Sequence, residues 1–413
     1  MNTRSRGPAY LILFAALMAG AGNGISMIAF PWLVLQRNGS AVEASVVAMA
    51  GTLPLLVSTV IAGAAVDYIG RRRVSMISDL LSALSVAAVP VVALIFGVDA
   101  INVAVLAGLA ALGAAFDPAG MTARETMLPE AATRAGWTLD HANSVYEAVF
   151  NLAYIVGPGI GGMLIATLGG IETMWVTAAA FGCSIAAISV LKLEGAGKPD
   201  RSALPDRVWA GVVEGLKFVW NLKVLRTLAI IDLTVTGLYM PMEAVLFPKY
   251  FTDRNEPAQL GWVLMALSIG GLIGALSYAV LAKFVKRRVT MLIAVITLGV
   301  AMTIIAFLPP LPVILSLSAV VGFVYGPIQP IYNYVMQTNA PAHLRGRVVG
   351  VMGSLAYAAG PLGLVLAGPL ADSAGLQTTF LALSLPMLLL GLVAIGLPSL
   401  RELDRPTEIG PAG

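Results

Sequence analysis

Twelve stretches of this chain are each long and apolar enough to cross a bilayer, which takes about 20 predominantly apolar residues as a helix. They are Ala9–Gln36, Ser45–Val66, Val74–Phe96, Ile101–Met121, Asn143–Thr167, Thr173–Leu191, Val224–Phe247, Leu260–Ala282, Val289–Leu308, Val313–Met336, Val348–Leu370 and Thr378–Leu397. In hydrocarbon every backbone amide must be satisfied within the segment or in a closed barrel, and barrel strands run to only about half this length. The expected fold is an all-α membrane protein with twelve transmembrane helices. Composition agrees, with 58% hydrophobic and 11% charged residues and a mean hydropathy of +0.87, against about 45–50% apolar and about 25% charged in a soluble domain.

The net charge of +3 is spread along the loops and not gathered into a patch, so no nucleic-acid partner is implied. With the N-terminus placed in the cytoplasm, the loops put 22 of the 25 lysines and arginines on that side and leave Arg37, Lys249 and Arg254 outside. Cytoplasmic loops are enriched in these residues, so both termini are expected in the cytoplasm of a bacterial inner membrane. The single cysteine, Cys183, rules out a disulfide within the chain. Nothing in the sequence implies a metal or cofactor.

The longest polar interval divides the spans six and six. It suggests an N-terminal six-helix bundle over residues 1–191, a cytoplasmic linker over 192–223 and a C-terminal bundle with a short tail over 224–413. The linker's second part reads as an interfacial amphipathic helix, with Val208, Val212, Leu216 and Val219 on one face and Trp209 and Trp220 as anchors. The halves repeat: Leu152-Ala153-Tyr154 and Gly157-Pro158 in the fifth span return as Leu355-Ala356-Tyr357 and Gly360-Pro361 in the eleventh. Two pseudo-symmetric bundles of this kind are transporter architecture, with a midplane site between halves.

Between the second and third spans lies GAAVDYIGRRR, residues 63 to 73. Its Arg71, Arg72 and Arg73 need no explanation beyond orientation. Gly63, Asp67 and Gly70 do. Glycines permit close approach and unusual dihedrals, and an acid at a helix end can engage an arginine. The matching loop of the second half keeps Lys286, Arg287 and Arg288 but has Ala282 and Val285 where the acid and glycine would stand.

Gly63, Asp67, Gly70, Arg71 and Arg72 fit the GxxxDxxGRR signature of the major facilitator superfamily, and Gly157, Pro158, Gly161 and Gly162 resemble the GPxxGG motif of its antiporters. Pro118-Ala119, Pro129-Glu130, Ala142-Asn143-Ser144 and Gly346-Arg347-Val348 are similar to its drug-exporter branch, a resemblance that covers essentially the whole chain. It implies a drug:proton antiporter that is not an enzyme, whose first loop latches the bundles on the cytoplasmic side. Its substrates would be amphiphilic or cationic antibiotics such as tetracycline and aminoglycosides. Two positions depart from the pattern. Ala153 stands where the antiporter motif usually starts with glycine, and the fourth span, AVLAGLAALGAAF, lacks the deep arginine of many drug exporters, so their proton route does not carry over.

Carboxylates inside spans are costly and persist where they have a task or a partner. Asp79, Asp117 and Arg124 are expected to join the cytoplasmic latch cluster. Glu147, with Asn151 and Tyr154 at i+4 and i+7, and Asp232, with Thr236, Tyr239 and Glu243, line two helix faces. A carboxyl group removed from water takes up a proton more readily, as exchange against a cation requires. Glu147, Asp232 and Glu243 are therefore the proton-coupling candidates. Tyr325, Gln329, Tyr332, Asn333 and Met336 on the tenth span, with Asn23 and Met27 on the first, suit an adaptable cavity for amphiphilic drugs. A monomer surrounded by lipid is expected, exchanging drug for protons by alternating access. The alternative is an exporter or flippase of an endogenous lipid or envelope metabolite. It would need basic groups in the cavity, and the one lysine or arginine inside the twelve stretches is Arg226, at the cytoplasmic edge of the seventh.

Overall fold

The computed structural model describes residues 5–193, 208–282, 284–340 and 345–404. Among them the chain forms α1 (Gly7–Asn38), α2 (Ala41–Ile69), α3 (Arg71–Phe96), α4 (Val103–Ala114), α5 (Asp117–Ala135), α6 (Leu139–Leu168), α7 (Gly170–Ser189), α8 (Val208–Asn221), α9 (Lys223–Pro241) and α10 (Phe247–Thr252). It continues with α11 (Pro257–Leu281), α12 (Arg287–Ile305), α13 (Leu311–Tyr325), α14 (Ile328–Asn339), α15 (Arg345–Ala374) and α16 (Leu376–Gly396). Eleven membrane-length apolar helices are present, and the apolar stretch Val156–Leu168 of α6 supplies a twelfth. The all-α, twelve-span expectation holds.

Local chemistry sets the boundaries. Ser40, Asn102 and Thr138 cap α2, α4 and α6, each side-chain oxygen accepting from the amide three residues on, which satisfies an otherwise orphaned donor. Three spans are broken, and prolines account for the breaks. Pro118 lacks an amide hydrogen and crowds the carbonyl of Ala114, so α4 ends there and α5 starts at Asp117. Pro327 and Pro330 do the same between α13 and α14. After Pro241 the seventh span relaxes into a π-helical turn, Met242–Leu246, before α10.

The chain forms two compact units, one of residues 1–206 and 244–265, the other of 207–243 and 266–413. In the first, α1 packs along α6 and α7, α3 along α7, and α2 against α4 and α5. Ile12, Met127, Leu128, Ile188 and Leu191 form a buried cluster. In the second, α9 packs along α15 and α12 along α16. The α1–α6 crossing of the first unit is thus repeated as α9–α15 in the second, on the repeated Gly-Pro pairs.

These crossings are close. A methyl group added at Gly157 would stand 3.0 Å from the Ala21 carbonyl oxygen, and one at Gly161 3.2 Å from the Ile25 Cα. In the second unit one at Gly237 would lie 3.2 Å from the Ala359 carbonyl oxygen, and one at Gly363 would collide with the Gly237 carbonyl. Gly270 and Gly274 of α11 meet Ala319 and Phe323 of α13, where Gly322 faces the Leu267 carbonyl. Meanwhile Leu94, Leu276 and Leu366 are strongly exposed, as lipid-facing side chains are.

The linker helix forms over Val208–Asn221. Gly215 and Val219 are buried, whereas Leu216 and Trp220 are exposed. This helix rests on α9 and α15. Val208, Trp209 and Val212 have side chains outside the described residues.

Overpacking a tight crossing costs about 1–3 kcal/mol. Gly322→Ala is therefore expected to lower the melting temperature in detergent, whereas Gly182→Ala, with nothing within 4 Å of its added methyl group, should leave it unchanged or higher. Equal melting temperatures for both variants would contradict the crossing.

Candidate functional site

Gly70 alone connects α2 to α3. Its φ of 100° and ψ of 137° lie in a region that side chains other than glycine's enter only with strain. The chain thereby reverses in one residue and delivers the arginines to the start of α3. Arg71 donates to the Thr126 carbonyl at 2.8 Å and lies 3.9 Å from Glu130. Arg72 donates to the Ser189 carbonyl at the end of α7, and Arg73 is exposed. The second unit repeats this staple: Arg288 donates to the Ile395 carbonyl near the end of α16 at 2.7 Å. Arg287 stacks on the Tyr334 ring, 3.7 Å from its centroid.

Below the hinge, α3 buries a serine stripe at Ser75, Ser78, Ser82 and Ser85 with Asp79 among them. Ser82 and Ser85 donate to the Gly113 and Leu109 carbonyls of α4 at 3.1 and 2.6 Å. Arg124 reaches both Asp79 oxygens at 3.0 and 3.1 Å, and Ser184 of α7 donates to the same carboxylate at 2.6 Å. The pair is almost wholly enclosed, its side chains 3% and 1% exposed. This corrects the expectation that no basic residue lies deep in a span: the fourth membrane-length segment runs from Val103 to Ala135 and contains Arg124. Polar residues after Met121 make that stretch read as a loop, because the charge that neutralises Arg124 lies 45 positions away. A buried serine at every third or fourth position of α3 was the available signal.

Asp117 and Asn23 are half-buried, and the Asp117 carboxylate interacts with the Asn23 and Ser82 side chains. Met27, also half-buried, lies one turn along α1 from Asn23.

In the second unit the seventh-span face forms as the spacing suggests. Asp232, Thr236, Tyr239 and Glu243 are all half-buried. Asp232 interacts electrostatically with Tyr325 and Tyr332, and Tyr239 with Glu243 and Tyr325. The tenth-span stripe divides instead: Gln329 and Asn333 are exposed, with 3.4 Å between amide nitrogen and oxygen, while Tyr332 and Met336 are buried. Tyr332 donates to the Leu228 carbonyl at 3.4 Å. The break at Gly326 and Pro327 resets the helical register between Tyr325 and the rest.

The GPxxGG residues form a packing element. Gly157, Pro158 and Gly161 face α1, where Gly24 abuts Pro158, while Gly162 meets the Gly261 backbone at the start of α11. Gly63, Asp67, Glu147, Asn151 and Tyr154 lie on helices whose course is known, but they fall outside the residues whose side chains are described.

A family model described as Major Facilitator Superfamily matches residues 12–364 and again 255–411. The chain belongs to the Major Facilitator Superfamily. This facilitator is 82% identical over 98% of its length to the multidrug efflux pump Tap of Mycolicibacterium fortuitum, covering 99% of that protein. It is 69% identical over 98% of its length to the multidrug efflux pump Tap of Mycobacterium tuberculosis, covering 96% of it. Among solved structures, a mutant form of the nucleoside transporter NupG matches with a TM-score of 0.76 at 11% identity, over 94% of this chain and 99% of that one. That likeness concerns the fold.

Removing one partner of a buried ion pair leaves an uncompensated charge and costs about 3–5 kcal/mol, whereas neutralising both is far milder. In this facilitator Arg124→Met should sharply lower thermal stability in detergent, and Arg124→Met combined with Asp79→Asn should recover most of the loss. A double variant no more stable than the single one would contradict the pairing.

Proposed function

We propose that this chain is a proton-coupled multidrug exporter working by alternating access as a monomer, with both termini on the cytoplasmic side of a bacterial inner membrane. The observation that carries the reading is the 82% identity, along nearly the full length of both chains, to a relative named as a multidrug efflux pump. The substrates are amphiphilic or cationic antibiotics, tetracycline and aminoglycosides first.

In this reading drug enters from the cytoplasmic side while the hinge around Asp67 and Gly70 is open. The bundles then rock, the hinge closes, and drug leaves outward as a carboxyl group binds a proton. Asp232 and Glu147 are the coupling acids, with Glu243 in the polar turn beyond them. The polar tips of Tyr239, Tyr325 and Thr236 orient the drug. Proton entry down a 100 mV potential supplies about 2.3 kcal/mol per charge, enough for moderate accumulation. The lipid or metabolite alternative loses support, because Arg124, the one arginine buried in a span among the described residues, is engaged by Asp79 and is not free for a headgroup phosphate.

A one-unit pH gradient is worth about 1.4 kcal/mol per proton, or about tenfold accumulation. Proteoliposomes holding the purified protein should accumulate tetracycline to that order when the gradient is imposed, and Asp232→Asn should abolish gradient-driven accumulation while leaving drug exchange at equilibrium. Drug movement indifferent to the gradient would sink the coupled mechanism.

A further inference from the structure

Asp117 is the first residue past the break in the fourth span, and the charges around it do not balance. Arg124 is taken up by Asp79, with which it shares both carboxylate contacts, so one positive charge meets one negative charge behind the break. Asp117 is a second carboxylate, and it forms no ion pair among the described residues. Its neighbours are the neutral Asn23 of α1 and Ser82 of α3. The ionisable groups facing this network are Asp79 from α3, Arg124 from α5 and Tyr146 from α6; α4 carries no ionisable residue. Two buried donors in the network, the Arg124 Nε–H and the Ser78 hydroxyl, have no hydrogen-bond partner. The polar cluster is therefore incomplete as well as one charge short.

The second unit supplies a comparison. Its tenth span breaks in the same way, and Gln329-Pro330 stands within a residue of the register of Asp117-Pro118. In that register Met336 corresponds to Arg124, and Gln329 is exposed. The position at the break thus carries a polar side chain in both copies, exposed in Gln329 and half-buried in Asp117, and an acid in only one. An unmatched carboxylate in a span is costly unless something neutralises it, and its partial exposure leaves it open to a visitor.

We propose that Asp117, flanked by Asn23 and Ser82, is the point in the first unit where a proton and the cationic group of a substrate exclude one another, with the Asp79–Arg124 pair as its fixed support. This assignment rests on the exporter reading, and it moves Asp117 from the cytoplasmic latch to the cation site.

The test is equilibrium binding of tetraphenylphosphonium to the purified full-length protein in detergent, followed from acidic to neutral pH. Displacement of one proton per cation makes wild-type affinity rise up to about tenfold per pH unit below the midpoint. Asp117→Asn is expected to flatten that dependence and weaken binding at neutral pH, Asp117→Glu to restore it with a displaced midpoint, and Asn23→Ala to displace the midpoint without abolishing it. A merely structural role would weaken binding equally at every pH. That result, an unchanged dependence in Asp117→Asn, or wild-type protein that binds no tetraphenylphosphonium would each overturn the assignment. Should Asp117→Asn fail to fold, midpoints identical to wild type in both Asp117→Glu and Asn23→Ala would do so as well. Binding that follows this pattern in a protein whose proteoliposomes ignore an imposed pH gradient would instead refute the coupled mechanism and leave the site standing.

Discussion

Inside lipid, apolar side chains gain nothing by leaving hydrocarbon for one another, so helices associate through close backbone approach and polar contacts. Both units are built on that constraint. The α1–α6 and α9–α15 crossings come close through glycines beside a Gly-Pro pair, and the third span is held to the fourth by serine hydroxyls on backbone carbonyls. The remaining polar atoms then have to be matched locally, which is why the Asp79–Arg124 pair is enclosed by Ser75 and Ser184. The Gly-Pro pair is what makes the repeat visible, because both copies share it at the crossing, while the glycines around it differ.

That constraint also decides what was legible in the sequence. Spans are readable because hydrocarbon demands about 20 apolar residues whatever their neighbours do, and the Gly-Pro repeat is readable because a crossing is encoded in one short segment. The fourth span was read too short for the opposite reason. Asp117, Arg124 and Glu130 give α5 a polar sequence, and only the third span, folded back alongside, converts Arg124 into a buried residue. Amphipathic spacing located the linker helix, but its partners α9 and α15 were not encoded in that spacing.

The candidate site was legible to the extent that it lies on unbroken helix. Asp232, Thr236, Tyr239 and Glu243 share a side because nothing interrupts α9 between the first three, and the π-turn carries only the last. The tenth-span set straddles a break that separates Tyr325 from the rest, and along α14 the side chains pass from exposed at Gln329 to buried at Tyr332 and Met336, a difference of tertiary cover that spacing does not encode. A proline directly after a polar residue, as at Asp117-Pro118 and Gln329-Pro330, is the sequence mark of such a break.

The basic turns separate what holds this fold from what can work in it. Arg72 ties the third helix to the end of the sixth span, and Arg288 ties its counterpart to the end of the twelfth. Duplicated contacts of this kind serve packing in both halves and cannot by themselves distinguish one conformation from another. The acids are not duplicated. Asp67, Asp79 and Asp117 belong to the first half, Asp232 and Glu243 to the second, and Asp404 at the chain's last described turn accepts from the Arg288 amide at 3.5 Å, the helix start that lacks an acid of its own. Arginine stays charged at any accessible pH, whereas a carboxylate in a span changes charge with its surroundings. In the proposed mechanism, coupling to protons therefore runs through the unduplicated acids, and the arginines fix the frame against which those acids change.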